Sequence, residues 1–498
     1  MMHKSGKSDG FVVPTKQPNE VAKGAEEAVE GRSPAKGNGV ERDAFRTQCR
    51  TNNAQSGLDR VREVAKRNKN EKFTALLHHV TIDRLRAAFL AVQREAAPGV
   101  DGVTWDAYKV GLEESLRDLH IRVHRGVYRA KPSRRVLIPK ADGGERPLGI
   151  ASLEDKVLQR AIVEVLNAVY ETDFLGFSYG FRQGRSQHQA LDALAVGILR
   201  KHVNWVLDMD IRGFFDAIDH EWMLRFVEHR IADPRVIRLI QKWLSAGVIV
   251  NGVKTVERTG SPQGATISPL LSNVYLHYAF DLWAQQWRRR NARGDMIIVR
   301  YADDVTLGFQ YEAEARRFHA ELKDRFLKFG LELNADKTRL IRFGKLAARQ
   351  RKERGQEKPE TFDFLGFTHI CGKSRAGRFV LFRHSSKVRI RRRLQAIRKE
   401  MLRRRHLPIP VQGAWIHQVV RGYFAYHAVP TNSARLNLFR NEVIRSWRHA
   451  LRRRSQRTRT TWKRMVPLSD RWIPRARILH PWPDERFDAR TRGKSPVR

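Results

Sequence analysis

Apolar residues first recur at a helical interval just past Phe73, where Ile82, Leu85, Phe89 and Val92 share one face. That stretch ends in the turn Pro98-Gly99-Val100-Asp101-Gly102. In VLIPKADGGERPLGI, from Val136 to Ile150, two short apolar runs flank an Asp-Gly-Gly turn, which predicts a β-hairpin. Ser152 and Asp155 then match a capping box opening a helix through Leu158, Ile162, Val165 and Val169. Strand patterns return at Trp205–Met209, Ile297–Arg300 and Val305–Phe309, with helical stretches between them. The alternation predicts an α+β domain centred on an antiparallel sheet. Gly344–Glu360 reads as a charged surface insertion, and beyond residue 385 the periodicity is helical only. Ile390, Leu394, Ile397 and Met401 make one apolar face, and Trp415, Val419 and Tyr423 a second. Leu436, Phe439, Val443, Trp447 and Leu451 make a third, so a small helical bundle is expected. Residues 1–58, rich in Gly, Lys, Asn, Ser and Glu without apolar periodicity, read as a disordered or weakly ordered tail.

Charge sharpens this picture. Lys plus Arg outnumber Asp plus Glu by 95 to 53 over 498 residues, a formal net charge of +42. A compact fold with that excess repels itself unless a polyanion offsets it, which makes nucleic acid the natural partner. The polar sides of the C-terminal helices carry Arg391, Arg392, Arg445, Arg448 and Arg452, consistent with such a surface. The two cysteines, Cys49 and Cys371, build neither a disulfide framework nor a CxxC zinc site, which fits a reducing interior. No apolar run reaches membrane-spanning length and no signal-peptide pattern opens the chain, so the expectation is no membrane and a cytoplasmic, nucleoid-associated location.

The chemistry concentrates in IIVRYADDVTLGF, where two β-prone runs meet at Tyr301-Ala302-Asp303-Asp304. Adjacent carboxylates at a turn repel unless cations bridge them, and hard oxygen donors of this kind suit Mg²⁺. The dipeptide alone is more often an ordinary solvated turn. A second acid changes that balance: the apolar strand Trp205–Met209 runs into Asp210, then Gly213 and a Phe pair. Two metal ions about 4 Å apart need carboxylates from more than one segment. Asp210, Asp303 and Asp304 supply them, with Asp208, on the same strand face, a weaker candidate.

YADD, the DIRGFFD stretch and Gly260-Ser261-Pro262-Gln263-Gly264 together resemble the ordered sequence blocks of reverse transcriptases, in the spacing of the group II intron class. The resemblance runs from about Phe73 to Met465 and implies a right-hand polymerase fold. Fingers and palm with an antiparallel sheet are followed by an α-helical thumb and maturase region, domain X. It implies an RNA-directed DNA polymerase using two Mg²⁺ ions and dNTPs on an RNA template with a DNA primer or target DNA. The same enzyme acts as a maturase on group II intron RNA, assisting splicing and target-primed or fork-primed mobility. Residue by residue, it makes Asp210, Asp303 and Asp304 the metal ligands and Phe215 the gate against a ribonucleotide 2′-hydroxyl. Gln263 contacts the incoming nucleotide, and Lys140 and Arg146 grip its triphosphate. FSYGFRQGRS, at 177–186, matches the block lining the template channel. Phe364, Leu365 and Gly366 match the primer grip. Arg421, in the RGYFAY stretch, joins the other C-terminal arginines as an RNA contact.

The expected organisation is a tail over 1–58, an N-terminal extension with the start of the fingers over 59–135, and fingers and palm over 136–370. Thumb and domain X follow over 371–465, then a basic C-terminal tail over 466–498. Many members of the class end in a zinc-supported endonuclease with cysteine pairs. The final ILHPWPDERFDARTRGKSPVR has none, so no DNA-cleaving domain is expected in this sequence. A stand-alone reverse transcriptase in phage defence and a non-catalytic RNA-binding splicing factor are the competing readings. The bundle over 385–465 weighs against the first and the intact acids against the second.

Overall fold

The computed structural model describes residues 52–139, 145–250, 253–255, 259–260, 264–356, 359–455 and 460–491. β1 (Ser133–Pro139) and β2 (Glu145–Ile150) form the antiparallel hairpin that the alternation predicts, with Val136 opposite Leu148. β3 (Trp205–Met209) belongs to a different sheet. β4 (Val248–Val250) and β5 (Val253–Thr255) return to the first one, giving the order β2-β1-β4-β5 with β4 parallel to β1.

The central sheet has the order β6-β7-β3-β8 and is antiparallel throughout, built from β3, β6 (Met296–Tyr301), β7 (Asp304–Phe309) and β8 (Arg339–Arg342). All of β6 is buried, as its near-continuous apolar run requires. Alternation divides its side chains between two cores. Ile297 and Val299 join Ala190, Leu194 and Ile198 of helix Gln187–Arg200, whereas Met296 and Ile298 join Phe318, Leu322 and Phe326 of helix Glu312–Leu327. A third sheet, β11-β10-β9, comprises β9 (Phe362–Phe364), β10 (Phe367–Lys373) and β11 (Phe379–Ser385). Ser152 caps helix Leu153–Asp173 as predicted, its hydroxyl accepting from the Asp155 N–H at 3.2 Å, while the Asp155 carboxylate accepts from that hydroxyl at 2.7 Å.

After Ser385 the chain is helical. Helices Lys387–Arg403 and Ser433–Arg452 bury the expected faces around Ile397, Phe439 and Trp447. In helix Ile409–His427 the buried face is turned by one position: Ile416, Val420 and Phe424 are buried with Tyr423, and the expected Trp415 and Val419 are half-buried at its edge.

Both expected tails need correction. Helix Asn52–Arg67 lies partly within 1–58 and docks on helix Leu153–Asp173, burying Leu58 and Ala65. Arg230 fastens it: buried and paired with Asp173 at 2.8 Å, this side chain donates to the carbonyls of Ala65, Asn68 and Glu71. Its apolar stripe is too narrow to stand out from a polar composition. Residues 1–51 lie outside the described residues. At the other end, helix Trp462–Trp472 closes the third core through Met465. Helix Pro483–Thr491 returns to helix Gln187–Arg200, where Phe487 is buried and Arg200 holds both Asp488 oxygens at 2.9 and 2.8 Å. The sequence beyond 466 is basic on average, but Phe487 and Asp488 within it dock.

Candidate active site

The β6–β7 hairpin pairs Tyr301 with Asp304, leaving Ala302 and Asp303 as its two turn residues. Ala302 sits at φ +56°, the left-handed region that few residues other than glycine adopt. β3 runs beside β7 with Asp208 opposite Thr306 and Met209 opposite Val305, so one further step places Asp210 opposite Asp304. The three predicted acids therefore meet at one end of the central sheet.

Asp210 is held from its other side by a segment that reading the sequence missed. The Asn334 amide donates to its carboxylate at 3.1 Å and the Lys337 ammonium lies 3.5 Å away. The Asp210 N–H donates to the Thr338 hydroxyl at 3.4 Å, and its carbonyl accepts from the Asn334 N–H at 2.8 Å. The polar run Asn334–Thr338 between Leu333 and Leu340 is the signal for it, visible only as a turn.

The acids share one field. The Asp304 carboxyl keeps solvent access, yet the protein surrounding it and then the charges of Asp303 and Asp210 push its pKa up to about 7, against the pull of Arg389. Asp208, the weaker candidate, belongs to the same cluster. Burial pushes it up to about 7, Arg339 opposes, and Asp363 and Asp210 add to the rise. Carboxylates that raise one another's pKa are a donor set whose repulsion a bound dication relieves. Among the described residues no three acidic or imidazole side chains close on one point as a cage. The set suits an ion that keeps part of its own shell and takes further oxygens from phosphates.

Behind the turn, the backbone of 177–179 runs beside β6 in a short parallel bridge. Tyr179 N–H donates to the Arg300 carbonyl at 2.8 Å and Arg300 N–H to the Phe177 carbonyl at 2.9 Å. Gly180 lies so close that a Cβ there would overlap the Ala302 nitrogen. Phe177, Ser178 and Tyr179 are buried, so the first part of the block expected to line a template channel is instead a buttress for the turn. Phe181, Gln183 and Gly184 are the exposed part.

Phe214 is a core residue and Phe215, half-buried beside it, stands five residues beyond Asp210. Gly260 packs against the backbone of Phe215 and Asp216, while Gly264 reaches the carbonyl of Gly149 on β2. Gln263 and Lys140 lie outside the described residues, and Arg146 occupies β2 opposite Ile138.

Phe364, Leu365 and Gly366 form the hairpin turn joining β9 to β10, with φ of +47° at Leu365 and +83° at Gly366. Successive positive φ values give the turn the twist its strands need. The Tyr426 hydroxyl donates to the Leu365 carbonyl at 2.7 Å and Ser386 N–H to that of Gly366 at 3.0 Å. Arg389, on the first turn of helix Lys387–Arg403, lies over Gly366 and acts on Asp304, connecting this turn to the acids. Sequence reading missed Arg389, Asp363 and Tyr426, whose roles are set by proximity alone.

Of the C-terminal arginines, Arg391, Arg421 and Arg452 are exposed and Arg392 half-buried. Arg445 pairs with Glu442 at 2.5 Å, and Arg448 lies 4.5 Å from the Trp462 ring. Arg445 is exposed and its pair lies within one helix, whereas Arg448 ties that helix to the segment at Thr460 and Trp462.

Residues 138–369 match the family described as "Reverse transcriptase (RNA-dependent DNA polymerase)". Protein YkfC of Escherichia coli (strain K12) is 35% identical over 277 residues, 49% of this chain and 72% of that protein. The group II intron-encoded protein LtrA of Lactococcus lactis subsp. cremoris is 33% identical over 224 residues, 44% of this chain and 37% of LtrA. An uncharacterized 91 kDa protein in the cob intron of Schizosaccharomyces pombe (strain 972 / ATCC 24843) is 42% identical over 192 residues, 39% of this chain and 23% of that one. The chain belongs to the reverse transcriptase family, in the group that includes group II intron-encoded proteins. Polymerases of this family work with divalent metal ions on nucleic-acid templates. Among the described residues no helix is long and apolar enough to cross a membrane.

Proposed function

We propose that the protein is the RNA-directed DNA polymerase of a group II intron and that it also binds the intron RNA as a maturase, assisting splicing and mobility. The observation that carries the polymerase reading is the meeting of Asp210 with Asp303 and Asp304 on neighbouring strands of the central sheet. Two Mg²⁺ ions held by these acids would lower the charge barrier between the primer 3′ oxygen and the dNTP α-phosphorus and stabilise the departing pyrophosphate. The chain's own contribution is position. The turn Phe364–Gly366, with Arg389 above it, holds the primer end facing the acids. Phe215 packs under the sugar and excludes a 2′-hydroxyl. Lys140 and Arg146 grip the triphosphate of the nucleotide, and Gln263 contacts it. The exposed Arg391, Arg421 and Arg452, with Arg392, Arg445 and Arg448, give the helical region its affinity for RNA phosphates.

The test is primer extension on an RNA template by Asp303→Ala. DNA synthesis should fall below about a thousandth of wild type, a loss of about 4 kcal/mol of transition-state stabilisation. RNA affinity should stay within about two-fold, since no RNA contact is removed. Undiminished synthesis by the variant would overturn the site.

A further inference from the structure

We propose that Arg300, Asp281 and Asn273 are positioning residues for the acids, a buried ring that holds the Ala302 carbonyl and so sets the direction of Asp303. The inference rests on the polymerase reading above.

Arg300 is fully buried in a strand that is otherwise almost wholly apolar, where an aliphatic residue would fill the space without desolvating a charge. Each of its three nitrogens has a partner. Nε and Nη2 meet the two Asp281 oxygens at 2.7 and 2.5 Å, a bidentate fork. Nη1 donates to Asn273 Oδ1 at 2.9 Å and to the Ala302 carbonyl at 3.0 Å. The Asn273 amide in turn donates to the Gly180 carbonyl at 2.7 Å, and Gly180 abuts the Ala302 nitrogen. The ring therefore closes on the turn from both sides.

Two departures from regular backbone serve it. Asp281 ends a π-helical turn, His277–Asp281, set between helices Ser268–Leu276 and Leu282–Arg290. The wider turn shifts the helix register and brings the Asp281 carboxylate to Arg300; such turns are frequent at functional sites. Ala302 stays in the left-handed region, which for a residue with a Cβ persists only where its surroundings impose it. The captured carbonyl belongs to the planar peptide that leads into Asp303. Fixing that plane fixes the Asp303 Cα and its N–Cα bond, the axis about which the side chain is placed. A buried ion pair needed only for packing has no reason to reach this one carbonyl.

The test uses the full chain with Arg300→Met/Asp281→Leu, which removes both charges together, and Asn273→Ala, which leaves the Arg300–Asp281 pair intact. Three quantities are read: the thermal midpoint, Mn²⁺ binding by electron paramagnetic resonance without substrate, and primer extension against Mg²⁺ and dNTP concentration. Both variants should melt near wild type. The Mn²⁺ dissociation constant and the half-saturating Mg²⁺ should rise at least five-fold and kcat fall at least ten-fold in the double variant. KM for dNTP at saturating Mg²⁺ should stay within two-fold. A folded double variant with wild-type Mn²⁺ affinity and kcat overturns the proposal, as does activity that falls only in step with the melting curve. Should the double variant not fold, Asn273→Ala decides by the same criteria. Absence of DNA synthesis by the wild-type protein would count against the polymerase reading instead, and the Mn²⁺ comparison would still judge the ring.

Discussion

Asp233 is fully buried at the start of helix Pro234–Leu244, where it accepts from the N–H groups of Leu76 and Leu77 at 2.8 and 3.0 Å. Burial opposes its ionisation, but the Arg235 side chain and the N–H groups of Leu76, Leu77 and Arg235 outweigh it and bring the pKa from 3.8 down to about 2. A carboxylate more acidic folded than unfolded adds stability that is present above pH 3.8 and lost as pH falls toward 2. Its share is about 1–2 kcal/mol after allowance for solvent screening. Asp233→Asn should therefore be less stable than wild type in urea at pH 7, with the gap narrowing below pH 4. A gap independent of pH would show that geometry, and not charge, is what Asp233 supplies. At this scale the sequence discloses chemistry better than contact. The acids at 210, 303 and 304 announce themselves by the strands they end or join, whereas the Asn334 that steadies Asp210 lies 124 positions away.

Elements were legible where their apolar pattern was strong. The β1–β2 hairpin, the strands of the central sheet other than β8, and the three long C-terminal helices follow directly from periodicity. β9–β11 were not legible as a sheet. Their alternation is interrupted by buried polar residues such as His369, which stacks on Phe362, and Arg383, which pairs with Asp192 at 2.9 Å across 191 positions. Helix Pro483–Thr491 was hidden for a related reason: its partners lie on Gln187–Arg200, far back in the chain. So short a helix is not stable alone, and removing one large anchor releases it rather than opening a cavity. A core Phe→Ala change ordinarily costs about 3–5 kcal/mol, but at Phe487 the cost is limited to the free energy of docking. Phe487→Ala should speed amide exchange at Leu479, His480 and Arg486 by at least about ten-fold while moving the main thermal transition by less than about 4 °C. A large fall in the main transition would mean that this helix melts only with the core.

For the whole molecule, the +42 net charge has its exposed concentration of arginine on the helices after Ser385. Affinity for RNA should drop by roughly 10³–10⁵ between 50 and 200 mM salt if about six to ten phosphates are engaged. A flat salt response, read by filter binding, would place recognition in uncharged contacts. The right-hand architecture was legible because its motifs come in order; how its parts are tied together was not, since Arg230, Arg383 and Arg200 act across distances no local pattern spans. The central sheet has one more consequence, for the ribosome. β3 lies in the middle of that sheet, yet its neighbours begin only at Asp304 and Arg339. At the usual pace of synthesis the new strand waits on the order of ten seconds with both of its edges unpaired. A chain stalled in that interval displays a sticky apolar ribbon, so the yield of soluble protein should depend on how quickly translation crosses it and on what shelters the nascent strand meanwhile.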